Sequence, residues 1–191
     1  MEALLVSTGV VALAEIGDKT QLLAFVLAAR FKAPRPIILG ILLATLANHG
    51  VAGALGAWIT TLLSPALLGW ILGLGFLAMA IWTLVPDKLE NTDTSTATRW
   101  GVFGTTFITF FLAEMGDKTQ IATVALAAHY ALPVVVVIGT TIGMLIANVP
   151  AVFAGERLST KIPLRLIRAI AASLLALLGL LTLFGGRYLQ S

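Results

Sequence analysis

The sequence predicts an all-α integral membrane protein with six transmembrane helices, arranged as two inverted-topology three-helix repeats. Three observations predict it. Of 191 residues, 59% are hydrophobic and only 11% charged, with a mean hydropathy of +1.00. A soluble domain of this size needs far more surface charge. Six stretches reach the roughly 20 apolar residues that cross a bilayer as a helix. Finally, the segment Leu13–Gln21 returns, with one residue changed, as Leu112–Gln120, 99 positions later. With three spans per copy, the second copy must enter the membrane from the opposite side, as in many secondary transporters.

The first span is expected over Ala3–Ala29. Ala12-Leu13-Ala14 resembles a signal-peptidase site, but no Lys or Arg precedes it and the same Leu-Ala-Glu recurs internally at Leu112, so the segment reads as a retained helix. The second span covers Pro36–Leu63 and the third Pro65–Val85. A polar stretch rich in Thr, Asp and Asn then reads as a linker. The fourth, fifth and sixth spans follow at Trp100–Ala128, Pro133–Ala154 and Leu164–Phe184. The repeats are thus 1–86 and 100–191, joined by a cytoplasmic linker at 87–99. Gly40 and Gly139, and Thr83-Leu84 and Thr182-Leu183, recur at the same offset, and Asn48 matches Asn148 after a one-residue insertion.

The chain has no cysteine, which excludes a disulfide framework and thiolate ligands for soft metals. Its net charge of +3 does not point to nucleic acid, because the basic residues sit in short loops between apolar segments. Arg30, Lys32 and Arg35, then Lys88 and Arg99, then Arg157, Lys161, Arg165 and Arg168 fall on one side; only Arg187 falls on the other. The positive-inside rule places those three loops in the cytoplasm and both termini outside.

Both copies of the repeated segment lie mid-span. Ionisable groups at that depth mark an ion or proton pathway. On a continuous helix, Glu15, Asp18 and Gln21 form one polar stripe, and Glu114, Asp117 and Gln120 form its counterpart. Lys19 and Lys118 stand four residues after each Glu, suited to pairs within a helix. Gly17 and Gly116 permit a local break or a close helix approach. Thr20 and Thr119 reach the site only if the helix is distorted. Asn48 and Asn148 are placed to offer amide oxygens or to hydrogen-bond between helices. Four carboxylates and two lysines leave a charge of −2, which one divalent cation or two protons neutralise. Metal and protons then compete for one site, which is the physical basis of antiport. Oxygen donors suit Ca²⁺, Mg²⁺ or Mn²⁺.

Against this stand blander readings. The carboxylates and lysines form a structural ion-pair network in one, which is a weak stabiliser and costly in lipid. His49 has no counterpart in the second repeat, where Val149 stands, and reads as a lesser candidate, a proton relay or a satisfied polar group. A cation channel or uniporter also uses acidic rings. A metal-dependent membrane enzyme gains nothing from mirrored sites, so no enzymatic activity and no resident cofactor are expected.

The motif Glu-x-Gly-Asp-Lys-Thr, present twice, resembles that of the calcium/manganese:proton antiporter family, of Gdt type, defined by Glu-x-Gly-Asp-(Lys/Arg)-(Thr/Ser). That family includes Golgi and chloroplast transporters and bacterial manganese exporters of the MneA type. The resemblance covers essentially the whole chain. It implies export of Mn²⁺, with Ca²⁺ the alternative, driven by inward proton flow. It assigns the acidic ligands to Glu15, Asp18, Glu114 and Asp117, and the motif's Lys and Thr positions to Lys19, Thr20, Lys118 and Thr119. A short chain with its basic loops inside looks like the bacterial, inner-membrane type, with the lipid bilayer, a divalent cation and protons as its partners.

Overall fold

The computed structural model describes residues 1–85, 97–154 and 164–188, which form eight α-helices. Most of the polar linker expected at 87–99 lies outside the described residues, as do Lys88, Arg157 and Lys161 of the topology-setting set. Four of the expected spans appear as single helices: α3 (Pro34–Leu62), α4 (Pro65–Thr83), α7 (Pro133–Ala154) and α8 (Leu164–Tyr188). The other two are each split. Ala3–Ala29 becomes α1 (Glu2–Glu15) and α2 (Lys19–Phe31), and Trp100–Ala128 becomes α5 (Ala97–Glu114) and α6 (Lys118–Tyr130). The single polar stripe expected on each is therefore corrected. The backbone leaves the helix inside the motif, so i, i+3 spacing no longer sets which side chains face together.

Proline marks the helix starts. Pro34, Pro65 and Pro133 open α3, α4 and α7, where a missing N–H costs nothing. Ser64 caps α4 by accepting from Leu67 N–H at 3.4 Å. Among the described residues, α3, α4 and Pro133–Phe153 of α7 are long and apolar enough to cross a membrane.

The distribution of side chains is inside-out. On α3, Leu39, Leu43, Leu46, Val51 and Leu55 are exposed, while Thr45, Asn48 and His49 are buried. Two apolar clusters flank the polar centre. One gathers Phe76, Leu126, Val136 and Leu175 from α4, α6, α7 and α8. The other gathers Leu23, Leu27, Ile37 and Phe110 from α2, α3 and α5. Leu27 and Leu126, 99 residues apart, fall in opposite clusters, as do Ile37 and Val136.

The repeats interlock through matched glycines. A Cβ at Gly139 of α7 would lie 2.8 Å from the Leu4 carbonyl oxygen and 3.0 Å from Ser7 Cβ on α1. A Cβ at Gly40 of α3 would lie 3.1 Å from the Phe103 carbonyl oxygen and 2.7 Å from Thr106 Cβ on α5. All three correspondences (Gly40 with Gly139, Leu4 with Phe103, Ser7 with Thr106) are 99 residues apart. Each repeat thus seats its first helix against a glycine of the other.

Candidate functional site

The repeated segment is where both helices break. Gly17 (φ 80°) and Gly116 (φ 74°) adopt the left-handed conformation that glycine tolerates best. Asp18 and Asp117 then stand at the N-caps of α2 and α6. Each glycine N–H donates to the glutamine four residues on: Gly17 to Gln21 Oε1 at 2.8 Å, and Gly116 to Gln120 Oε1 at 2.7 Å. The glutamine amides brace the breaks against other helices. Gln21 Nε2 donates to the Ala147 carbonyl at 2.9 Å. Gln120 Nε2 donates to Asn48 Oδ1 at 3.2 Å, and Asn48 Nδ2 donates to the Phe111 carbonyl at 2.9 Å. Asn148 Nδ2 donates to the Met144 carbonyl at 3.0 Å, while its buried Oδ1 accepts no hydrogen bond.

Four helix ends meet here, the C-termini of α1 and α5 and the N-termini of α2 and α6. One carboxylate oxygen each from Glu15, Glu114 and Asp117 lie within 4.8 Å of one another. Both glutamates are fully buried, and Asp117 nearly so. Asp18 is buried but stands outside this trio. The lysines cross between repeats. Lys19 Nζ lies 3.2 Å from Asp117 Oδ1, and Lys118 Nζ lies 3.8 Å from Asp18 Oδ1. The expected pairing of each lysine with the glutamate four residues earlier is corrected, because the helix break removes the geometry it requires.

The distortion required to bring Thr20 into the site is present: its hydroxyl donates to Glu15 Oε2. Thr119 is buried at the second position of α6. Glu15 Oε1, both Glu114 oxygens and Asp117 Oδ2 accept no hydrogen bond. Buried acceptors in this state are stabilised by a cation or a proton.

His49 enters the site from α3. Its ring is fully buried, with Nδ1 2.9 Å from Thr140 Oγ1 and Nε2 3.3 Å from Glu114 Oε2. The sequence ranks it low because Val149 stands at the matching position. That mismatch was the available signal, since it makes the two halves of the site chemically unequal.

Residues 3–91 and 102–189 each match the family described as divalent cation/proton antiporter GDT1. The chain belongs to this family. The two matches begin 99 residues apart, the offset of the motif itself. GDT1 proteins are transporters, not enzymes. A Vibrio cholerae protein named "Putative manganese exporter" is 53% identical over 185 residues, covering 96% of this chain and 92% of that one. "GDT1-like protein 3" of Oryza sativa subsp. indica is 32% identical, covering 91% of this chain and 70% of its own length. "GDT1-like protein sll0615" of Synechocystis is 29% identical, covering 79% and 84%. No solved structure matches the chain.

Proposed function

We propose that this GDT1 protein exports Mn²⁺ from the cytoplasm in exchange for protons, by alternating access to the carboxylate trio. The observation that carries the reading is three buried carboxylate oxygens within 4.8 Å, on residues four of whose six carboxylate oxygens accept no hydrogen bond. The crossed Lys–Asp pairs offset two of the four carboxylate charges, so the cluster as a whole carries −2. One Mn²⁺ or two protons restores neutrality, and an empty, unprotonated site is heavily penalised in a low-dielectric interior. Release of the metal therefore requires protonation. Mn²⁺ is favoured over Ca²⁺ by the similarity to the Vibrio cholerae protein, which also favours the bacterial exporter branch and an inner-membrane location.

The proposed topology is six spans in two inverted repeats, with both termini outside. The half-helices α1, α2 and α6, of 13 or 14 residues, each rise only about 20 Å, and α5, of 18 residues, is kinked at Gly101, so α1 with α2, and α5 with α6, make one crossing each with the break near mid-depth. Matched glycine contacts between the repeats support the inverted relation. The helices α4 and α8 pack on each other and on α6 and α1. They join one apolar cluster, and among the described residues the symmetry-related cluster contains neither of them. An asymmetry of this kind is what one of two alternating states presents, with the other state exchanging those contacts.

The test is purified protein in liposomes with a trapped pH dye, with Mn²⁺ added outside. Proton movement opposite to Mn²⁺, lost in Glu114→Gln, is expected. Mn²⁺ flux without proton movement would instead indicate a channel or uniporter.

A further inference from the structure

We propose that His49 is a metal-binding residue of the transport site, and that its Nε2 selects a transition-metal ion such as Mn²⁺ over Ca²⁺ and Mg²⁺. The proposal rests on the reading of the carboxylate trio as the cation site and adds a nitrogen donor that the repeated motif does not contain.

The ring's tautomer follows from its neighbours. Thr140 Oγ1 lies 3.2 Å from the Val137 carbonyl, one turn back on α7, and donates its only proton there. Its oxygen is then left to accept, so His49 Nδ1, at 2.9 Å, carries the ring proton. Nε2 is left with a lone pair. It is fully buried, makes no hydrogen bond, and faces Glu114 Oε2 at 3.3 Å. Two lone-pair atoms at that distance repel unless a proton or a metal ion lies between them, so the contact suits the same proton–metal competition as the trio. Glu114 Oε1 and Oε2 also accept no hydrogen bond.

The 3.3 Å between His49 Nε2 and Glu114 Oε2 fits an ion shared by these two residues, with the nitrogen standing just outside the 4.8 Å trio. Cis ligands of a six-coordinate ion with bonds of about 2.2–2.3 Å lie roughly 3.1–3.3 Å apart. The Thr140–Val137 relay is the kind of outer contact that fixes a ligating histidine's tautomer and ring angle. Carboxylate oxygens alone accept Ca²⁺ and Mg²⁺ as readily as Mn²⁺, whereas imidazole nitrogen favours transition metals. Position 41, which lies 99 residues before Thr140, is isoleucine, and Val149 stands opposite His49. The nitrogen donor and its relay therefore belong to one side of the site only, beside Glu114, while Glu15 is served by Thr20.

The experiment uses purified full-length protein in detergent loaded with Mn²⁺ alone, and reads nitrogen coupling to the bound ion by pulsed electron spin resonance. His49 and His129 are the only histidines, so ¹⁵N-histidine labelling assigns the signal. A directly bonded imidazole coupling is expected, shifted by the label and lost in His49→Gln, which substitutes an amide for the nitrogen. His49→Gln should lower Mn²⁺ affinity about tenfold or more relative to Ca²⁺. Thr140→Val should weaken Mn²⁺ binding by roughly 10–100-fold while Thr140→Ser retains it. Bound Mn²⁺ without imidazole coupling, or an unchanged Mn²⁺:Ca²⁺ ratio in His49→Gln, would overturn the role of His49 and leave the carboxylate site standing. Failure of the wild-type protein to bind Mn²⁺ would overturn both.

Discussion

Lys19 closes an ion pair with Asp117, 3.2 Å away in the other repeat, while Glu15 of its own motif lies across the helix break. Lys118 reaches back to Asp18 at 3.8 Å. The crossed pairs tie the two helix breaks together and hold Asp117 beside Glu15 and Glu114, where its second carboxylate oxygen accepts no hydrogen bond.

Lys19→Met should leave Asp117 buried without its partner. Lys19 is partly exposed, so the expected loss of stability is at most about 3 kcal/mol. The double variant Lys19→Met/Asp117→Asn should recover part of it. Thermal unfolding in detergent of the two singles and the double completes the cycle, and strictly additive losses would argue against the crossed pair.

Neutralising either glutamate should stop exchange. Glu15→Gln and Glu114→Gln are each expected to abolish Mn²⁺-driven proton flux in liposomes while the protein still elutes as a folded species. Asp117→Asn should abolish it too, since it supplies an oxygen of the trio. Wild-type flux in any of these would remove the trio as the exchange site.

A cluster carrying −2 implies one Mn²⁺ against two protons, an exchange that moves no net charge. Transport rates in liposomes clamped by a potassium gradient and valinomycin should therefore be the same at inside-negative and zero potential. A rate that tracks the potential would require another stoichiometry.

Gly116 adopts φ 74° with open space where a Cβ would stand. Gly116→Ala should thus be destabilising through backbone conformation alone, by about 1–2 kcal/mol. A melting temperature equal to that of the wild type would mean the break can be made without the left-handed residue.

At Gly139 the constraint is space, not conformation. Gly139→Ala places a methyl 2.8 Å from the Leu4 carbonyl and should cost about 1–3 kcal/mol by separating α1 from α7. Gly9→Ala and Gly50→Ala, where nothing lies within 4 Å, should be tolerated. Equal melting temperatures across the three would dismiss the glycine contact as an organising feature.

The sequence by itself determined the repeat, the apolar segments and the chemistry held at their centres. Leu13–Gln21 and Leu112–Gln120 are legible because a copied segment needs no folding to be seen, and because a charged residue within an apolar stretch is too costly to be incidental. The starts of α4 and α7 were legible from Pro65 and Pro133, whose effect is local, and α3 begins two residues before the expected Pro36, at Pro34. Only the tertiary structure decided which side chains meet. Glu15, Asp18 and Gln21 share a face on an uninterrupted helix, but the left-handed Gly17 turns Asp18 into a cap and leaves Gln21 to hold Gly17 itself. The lysines' partners lie about 100 residues away, and only the docking of one repeat on the other, through Gly40 and Gly139, brings them within reach. His49 was a lesser candidate in the sequence, and its partners were hidden for the same reason. Its spacing in the chain carries no hint of Glu114 or Thr140, because a contact between helices is fixed by packing and not by periodicity.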